Sequence, residues 1–260
     1  MHRLLVDSCA LGLENPELEA AAARHLRVLR PKPGEEIELF DGKGSWRVYA
    51  WDGALHASGD PQFTERLPTP VTLFACVTKG SRWDWTVEKA TELGAARIVP
   101  VISDRTIVRV PKAERIAKRE RWQRIAEDAA RQSDAKWLPE ISAAVDFADT
   151  LPLVRETTCF VGALVDPPAP PILSAVCAAE ISASRPPAVY VGPEGDFTPD
   201  ELSALLECAT PTSFGPTILR AETAAVFAVG VVVAVCNGMW YNSPILGSGS
   251  CLGRKEFHCD

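Results

Sequence analysis

Two glycine–proline loops carry the residues best suited to ligand binding. One is VGPEGDF at residues 191–197 and the other is FGPTILR at 214–220, and each lies at the end of a predicted strand. Glycine lets a backbone approach a ligand closely, and proline stiffens the turn. Glu194 would repel phosphate, so a neutral or cationic ligand with an adenine-like ring fits better. Two tight connections that use glycine and proline only to turn are the alternative.

Other chemistries find little support in the residue pattern. Neither loop matches the glycine motifs that cradle phosphates. The eight cysteines form no C-x-x-C pair and the four histidines form no cluster, so we predict no metal site. Cysteines in apolar stretches, such as Cys76 and Cys236, indicate free thiols in a reducing cytoplasm. No hydrophobic signal region is present, and AAVFAVGVVVAV is too short for a membrane span, so we predict a core helix there.

The elements before residue 66 are predicted to be mainly strands. Residues 34–53 alternate apolar and polar side chains and turn at Asp41–Gly42, which is typical of a β-hairpin. A helix is predicted over 16–30. RLPTP at 66–70 interrupts the pattern, and we place a domain boundary there.

Strands and helices alternate after this boundary, which predicts a parallel sheet covered by helices. Ser81 with Asp84 is predicted to cap one helix, and Thr198 with Glu201 to form a capping box on another. The predicted strands are 71–77, 96–102, 157–165, 188–192 and TSFG at 212–215, and the predicted helices are 81–93, 112–132, 171–182, one starting at 198, and 222–237.

Charge is unevenly distributed. The chain has 27 basic and 34 acidic residues, a net charge of −7. Between Lys79 and Lys136, however, 14 basic residues face 9 acidic ones. Such a local surplus is what a phosphate-facing surface needs, although a solvated helix face with mixed charge gives the same pattern.

Longer motifs resemble one enzyme family. VGPEGDFTPDEL and FGPTILRAETAAVFAV are similar to the paired signature of the uridine-N3 methyltransferases of small-subunit (16S) ribosomal RNA. Those enzymes belong to the knotted SPOUT class of S-adenosylmethionine-dependent RNA methyltransferases. HLRVLR and LFDG resemble the family's N-terminal domain. TKGSRWDWTVEKATELG, SDRT and RWQRIAEDAARQS resemble the first half of its catalytic domain.

The resemblance implies an α/β fold in two domains. We expect a PUA-like RNA-binding β-barrel over 1–68 and an α/β methyltransferase domain with a parallel sheet and a C-terminal trefoil knot over 69–240. Residues 241–260, rich in Gly and Ser, are predicted to be a flexible tail. The resemblance further implies a cytoplasmic homodimer that acts on small-subunit ribosomal RNA, free or in the assembled subunit, without a metal.

It also implies a set of functional residues. S-adenosylmethionine would be held by Leu164, Val165, Val191, Gly192, Pro193, Glu194, Gly195, Phe214, Gly215, Ile218, Leu219 and Thr223. Arg220 would stabilise the uracil N3 anion, and Glu222 would orient Arg220 or accept the proton. RNA phosphates would meet Arg27, Arg30, Lys79, Arg82 and Lys89.

Three positions depart from the family pattern. Asp196 stands where the family usually has glycine, Thr217 where it has arginine, and Asp134–Ala135 where it often has Gly-Arg. Two other functions are kept as alternatives: 2′-O-methylation of tRNA by a related knotted enzyme, and RNA binding without catalysis. The expected N-terminal barrel and ILRAET argue against the tRNA enzyme.

Overall fold

A computed structural model describes residues 1–238 of the chain. The first part contains one α-helix, α1 (Ala20–Leu29), and five strands. The strands are β1 (His2–Leu5), β2 (Glu36–Phe40), β3 (Ser45–Trp51), β4 (Leu55–Ala57) and β5 (Gln62–Phe63). β1 pairs with β2 in parallel, and β3 pairs with β2, β4 and β5 in antiparallel fashion. The predicted hairpin is therefore confirmed.

A small core supports this first sheet. Leu4, Ile37, Leu39 and Tyr49 are almost completely buried, and Leu26 of α1 packs on the same cluster. The hydroxyl of Tyr49 donates to carbonyl oxygens in the 10–13 segment, which contains a short 3-10 helix. The helix predicted over 16–30 is present from Ala20 onward.

Seven parallel strands form the second sheet. They are β6 (Thr72–Cys76), β7 (Arg97–Ile102), β8 (Glu140–Ile141), β9 (Val145–Asp146), β10 (Thr158–Gly162), β11 (Pro187–Val191) and β12 (Ala209–Thr212). Their spatial order is β12-β10-β11-β6-β7-β8, with β9 also paired to β7. The apolar runs that predicted β6, β7, β10 and β11 are buried on both faces, as expected of a covered parallel sheet, whereas β8 and β9 were not predicted.

Helices cover both faces of this sheet. They are α2 (Ser81–Glu92), α3 (Arg115–Ser133), α4 (Phe147–Arg155), α5 (Ile172–Ala178), α6 (Pro199–Leu206) and α7 (Ala221–Cys236). One core joins α2, α3, α5 and α7 to the sheet, and a second core involves α4 and α6. The apolar segment in α7 is a core helix, as predicted, with Ala225, Ala228, Val229 and Val232 at most 1 % exposed.

Several local predictions need correction. The strand predicted at 212–215 lies earlier, at Ala209–Thr212, because this run pairs with β10. Ser81 does not cap α2, because the N-cap is Gly80 and no side chain caps this helix. Helix α4 was not predicted, since Pro152 lies inside it, although Phe147, Leu151 and Val154 have helical spacing.

The two parts meet where the parallel strands begin. Gly44 N–H donates to the Lys136 carbonyl at 3.0 Å, and Leu138 N–H donates to the Gly42 carbonyl at 2.9 Å. Lys136 also forms an ion pair with the buried Glu38. Residues 136–138 precede β8, so the first part lies at the amino edge of the second sheet. Among residues 1–238, no helix is long and apolar enough to cross a membrane.

Candidate functional site

Three loops converge at the carboxyl edge of the second sheet. They follow β10, β11 and β12, which are neighbours in the sheet. The predicted cofactor residues on these loops are therefore close together, although they are up to 60 positions apart in sequence. Ligands of open α/β sheets bind at this edge.

The loop after β11 contains a tight turn, which we call the GPEG turn (residues 192–195). Asp196 N–H donates to the Pro193 carbonyl at 3.0 Å, which leaves Glu194 and Gly195 at the two central positions. Their two N–H groups donate to no acceptor within residues 1–238. A side chain at Gly192 would lie 2.9 Å from Phe197, so the turn can pack there only with glycine. Two free amides are thus available to a ligand.

Asp196 follows this turn with φ 60°, the left-handed region that glycine favours. The family glycine at this position is explained by this backbone conformation. Asp196 is exposed, and its carboxylate accepts from its neighbour's amide, Phe197 N–H, at 2.8 Å. Asp196 in place of the family glycine therefore strains the backbone locally, but its side chain does not enter the space between the loops.

The loop after β12 contains the second glycine. Gly215 has φ 131°, and no atom lies within 4 Å of where its Cβ would be, so there is open space beside it. Ser213 Oγ bonds both the N–H and the carbonyl of Gly215, at 3.3 and 3.2 Å. Ile218, two-thirds of the way along the loop, is 84 % exposed. The loop thus presents apolar surface and free space at the carboxyl edge.

An arginine lies between the acidic residues of the two loops. Arg82 Nη1 is 3.4 Å from Glu194 Oε1, and its Nε is 3.8 Å from Glu222 Oε1. The Glu222 side chain is only 10 % exposed, and its Oε2 is buried without a hydrogen-bond partner. A buried acceptor of this kind is costly unless a donor reaches it. Glu222 can therefore accept a hydrogen bond from a ligand.

Arg220 is the N-cap residue of α7, and it is exposed. Its carbonyl accepts from Ala224 N–H at 2.8 Å, but its guanidinium has no hydrogen bond or ion pair within residues 1–238. Glu222 is paired with Arg82 instead, so it does not orient Arg220 in this conformation. The guanidinium of Arg220 is left available to a substrate.

Sequence reasoning missed the segment that supports the GPEG turn. Arg105, in the loop after β7, donates to the carbonyl oxygens of Gly195 and Phe197, both at 3.1 Å. Its SDRT motif only resembles the family pattern, and no signal in the sequence indicates contact with a loop 90 residues away.

Burial raises the pKa of nearby Cys76 to about 12, so that thiol stays protonated and is no nucleophile.

The remaining predicted residues include both exposed and buried side chains. Leu164, 71 % exposed, and Val165 follow β10, while Thr223 is exposed in the first turn of α7. Val191, which precedes the GPEG turn, and Pro193, which belongs to it, are buried. Phe214 lies against Gly162, and Leu219 packs against the core. Lys79 is exposed at the carboxyl edge, whereas Lys89 binds Glu88 and Glu92, both at 2.8 Å.

Arg27 and Arg30 lie elsewhere. Both are exposed on α1 or at its end, in the part that attaches at the amino edge. A cleft of about 880 Å³ separates α1 and β1 from the C-terminal half of α3. In one chain, the predicted RNA contacts of the two parts therefore do not form one surface.

The carboxyl edge fits an adenosine-containing cofactor better than a metal. Free amides, glycines without side chains and an unpartnered carboxylate oxygen can accept a neutral or cationic molecule. No group of three or more His, Cys, Asp or Glu side chains that could hold a metal ion occurs within residues 1–238.

Comparison with known families agrees with this architecture. Residues 65–233 match the family described as RNA methyltransferase domain, and residues 18–50 match the RNA methyltransferase PUA domain. The class is therefore an RNA methyltransferase with a PUA domain.

Individual relatives show to which family within this class the chain belongs. The ribosomal RNA small subunit methyltransferase E of Synechocystis is 34 % identical over 80 % of this chain and 69 % of its own length. The Mycobacterium tuberculosis protein of that name is 30 % identical over 82 % of this chain and 83 % of its length. The chain belongs to the family of ribosomal RNA small subunit methyltransferase E.

Solved structures show the same fold. The Neisseria gonorrhoeae ribosomal RNA small subunit methyltransferase E, bound to S-adenosylmethionine, is 27 % identical and superposes with a TM-score of 0.76, covering 90 % of this chain and 98 % of its own. A Legionella pneumophila protein at 24 % identity has a TM-score of 0.74 over 90 % of this chain and 98 % of its own.

Proposed function

We propose that this chain transfers the methyl group of S-adenosylmethionine to N3 of a uridine in small-subunit (16S) ribosomal RNA. The observation that carries the proposal is the convergence of the GPEG turn, the Gly215 loop, Arg220 and Glu222 at one sheet edge. The relatives are ribosomal RNA small subunit methyltransferases, which supports the RNA class, and the Neisseria structure with bound S-adenosylmethionine supports the cofactor.

The cofactor is held by backbone groups more than by side chains. The free amides of Glu194 and Gly195 donate to it, and the space beside Gly215 admits it. When bound, the cofactor supplies a methyl group activated on a sulfonium. Leu164, Val165, Ile218 and Leu219 provide apolar surface for its adenosine. The task of the other residues is to position the uracil and to remove its proton.

Arg220 and Glu222 divide that task. Uracil N3 carries a proton and becomes a good nucleophile only as the proton leaves. The unpaired guanidinium of Arg220 donates to the uracil carbonyl oxygens, where negative charge develops. The free Oε2 of Glu222 accepts the N3 proton. The proton-acceptor role is favoured over orientation of Arg220, because Glu222 bonds Arg82.

The chain threading is proposed to be a trefoil knot. Helix α7 leaves the edge strand β12 but packs over β11 and β6, between α2 and α5. A chain that returns from the edge strand across the middle of the sheet in this way supports the knot, and the five-stranded sheet of β1–β5 supports a PUA-like barrel. The domain limits are proposed to be 1–68 and 69–240, which the separation into two sheets supports, while the predicted tail at 241–260 lies outside the described residues.

A homodimer in the cytoplasm is proposed to be the working form. Exposed apolar side chains beside the site, including Leu164, Ile218 and Phe227, would be covered by a second copy. The six cysteines within the described residues are free thiols, which fits a reducing compartment. The substrate is free 16S RNA or the assembled subunit.

Methyl transfer followed by mass spectrometry tests the function. The purified chain is incubated with labelled S-adenosylmethionine and 16S RNA, free or in small-subunit particles, and the RNA is digested to nucleosides. We expect 3-methyluridine with the wild type and with Arg155→Ala, a surface variant, but little with Arg220→Ala. A ribose methyl on tRNA would favour the related enzyme instead. RNA binding without cofactor binding would favour a non-catalytic protein.

A further inference from the structure

A second loop supports the GPEG turn, and we call it the bracing segment (residues 103–109). It follows β7, which is two strands away from β11 in the sheet. Arg105 reaches across this distance, and one of its terminal nitrogens donates to the carbonyls on both sides of Asp196. The Arg105 side chain also lies beneath Gly195, with its Cβ 3.5 Å from the position of a Gly195 Cβ.

A buried glutamate joins the same segment to helix α6. One carboxylate oxygen of Glu201 accepts from Asp104 N–H at 2.9 Å, and the other accepts from Thr198 N–H at 2.9 Å. Glu201 is only 7 % exposed. The capping box of α6 is therefore also the second attachment point of the bracing segment.

The bracing segment is itself held in one conformation. Ser103 N–H donates to Thr106 Oγ1 at 2.9 Å, and the two hydroxyls are 2.8 Å apart. Arg109 donates to the carbonyl oxygens of Ser103 at 3.1 Å and Asp104 at 2.6 Å. A loop with this many internal bonds is a firm support for its neighbour.

We infer that Arg105 is a positioning residue, which holds the GPEG turn so that its free amides face the cofactor. The inference rests on the proposed function for the identity of the ligand. Arg105 anchors the Gly195 carbonyl, while the amides of Glu194 and Gly195 remain unused. The Gly195 carbonyl shares its peptide plane with Asp196 N–H, which closes the turn onto the Pro193 carbonyl. The Pro193 carbonyl in turn shares its peptide plane with the free Glu194 amide. A charged donor that anchors the first plane therefore holds the turn closed, so its free amides are presented in advance of binding.

Removing this anchor should weaken cofactor binding more than catalysis. Arg105→Ala is expected to raise the Kd for S-adenosylmethionine about tenfold by calorimetry, because the turn must be ordered on binding. The rate at saturating cofactor should stay within about threefold of the wild type, since Arg105 touches no reacting atom. Arg105→Lys should recover part of the affinity, because an ammonium can reach one carbonyl but lacks the planar fork.

Amide hydrogen exchange gives a readout independent of activity. In Arg105→Ala without ligand, the amides of residues 196 and 197, which are hydrogen-bonded to Pro193 and Asp196, should exchange faster, while those of β11 keep their protection. Arg155→Ala is the matched control, because it removes an exposed arginine that pairs with Glu207 at 3.5 Å on another face. That variant should change neither affinity nor exchange at the GPEG turn.

The possible results are distinguishable. A Kd for Arg105→Ala within twofold of the wild type, or unchanged exchange at residues 196 and 197, overturns the inference. If the wild type binds no S-adenosylmethionine, the proposed function fails, and the exchange result still decides the role of Arg105. If Arg105→Ala does not fold, Arg105→Lys decides by the same two measurements, with a Kd and exchange equal to the wild type counting against the inference.

Discussion

Arg220 combines an exposed guanidinium with a fixed backbone, because its carbonyl accepts the first hydrogen bond of α7. This arrangement brings a charge to the edge of the site without tying it to a carboxylate. A structural arginine at a helix start would instead be paired with a neighbouring acid, and Glu222 was the obvious partner. The observed pairing of Glu222 with Arg82 leaves the charge of Arg220 without a partner within residues 1–238.

Arg220→Ala should therefore reduce methyl transfer and spare cofactor binding. Loss of a donor to a developing oxyanion lowers rates on the order of 100-fold to 1,000-fold. Arg220→Lys should recover little, since a compact ammonium cannot face two carbonyl oxygens as a planar fork does. Single-turnover rates beside cofactor titration measure both effects. A near-normal rate in Arg220→Ala at saturating cofactor would remove Arg220 from the catalytic role.

Asp196 allows a stability prediction at the same turn. With φ 60°, the residue occupies a conformation that costs a side-chain-bearing residue about 1 kcal/mol, partly offset by its bond to Phe197 N–H. Asp196→Gly should leave the free energy of unfolding unchanged or raise it by up to about 1 kcal/mol. Asp196→Ala keeps the strain and loses the bond, so it should be less stable by about 1 kcal/mol.

Urea unfolding of the three proteins measures this order of stability. Asp196→Gly should be at least as stable as the wild type, and the wild type should be more stable than Asp196→Ala. A glycine variant clearly less stable than Asp196 would mean that the side-chain bond outweighs the backbone strain. In that case the departure from the family pattern would be stabilising.

The sequence predicts residue-level features that depend on neighbours along the chain. The glycines of the two loops and the turn at Pro193 can be recognised from the sequence, because backbone freedom is a local property. The partners of Arg82 and Arg105 are not, because they lie 112 and 90 positions away. Arg82 was predicted to meet RNA phosphate, and its proximity to two carboxylates emerges only from the folded chain.

Helix boundaries show the same limit at the scale of elements. Thr198, Pro199 and Glu201 were predicted to start α6, and both hydrogen bonds of the capping box are present. Ser81 and Asp84 have a similar pattern, but the N-cap of α2 is Gly80, whose φ of 64° is a conformation that glycine adopts readily. Strand β12 was displaced by three residues, because pairing with β10 determines its position.

Helix α6 offers a prediction at this scale. Thr198→Ala removes one capping bond and should lower the free energy of unfolding by about 1 kcal/mol. Glu201→Gln should cost about 2 kcal/mol, because its buried carboxylate accepts from Thr198 and also from Asp104. Chemical denaturation measures both, with Asp200→Asn, an exposed residue in the same first turn, as the control. Equal losses for Thr198→Ala and Glu201→Gln would argue that the Asp104 bond contributes nothing.

In the whole molecule, the first part and the candidate site lie at opposite edges of the second sheet. The first part attaches where the strands begin, through Gly42, Gly44 and Lys136, and the site lies where they end. A five-residue strand spans roughly 17 Å, so the two surfaces are separated by at least the depth of the sheet. The sequence predicted both parts, but not that the first part and the site lie at opposite edges of the sheet.

This arrangement predicts that, in a homodimer, one chain binds RNA for the site of the other. The test mixes Arg27→Glu/Arg30→Glu, which lacks the N-terminal RNA contacts, with Arg220→Ala, which lacks the catalytic arginine. Each alone should be nearly inactive. After random re-association about half of the dimers are mixed, and each mixed dimer has one complete site out of two, so about a quarter of the wild-type activity should return. If each chain binds RNA for its own site, no mixed dimer has a complete site and no activity returns. Light scattering on the same samples checks the premise, because a chain that stays monomeric at micromolar concentration has no partner to complete its site.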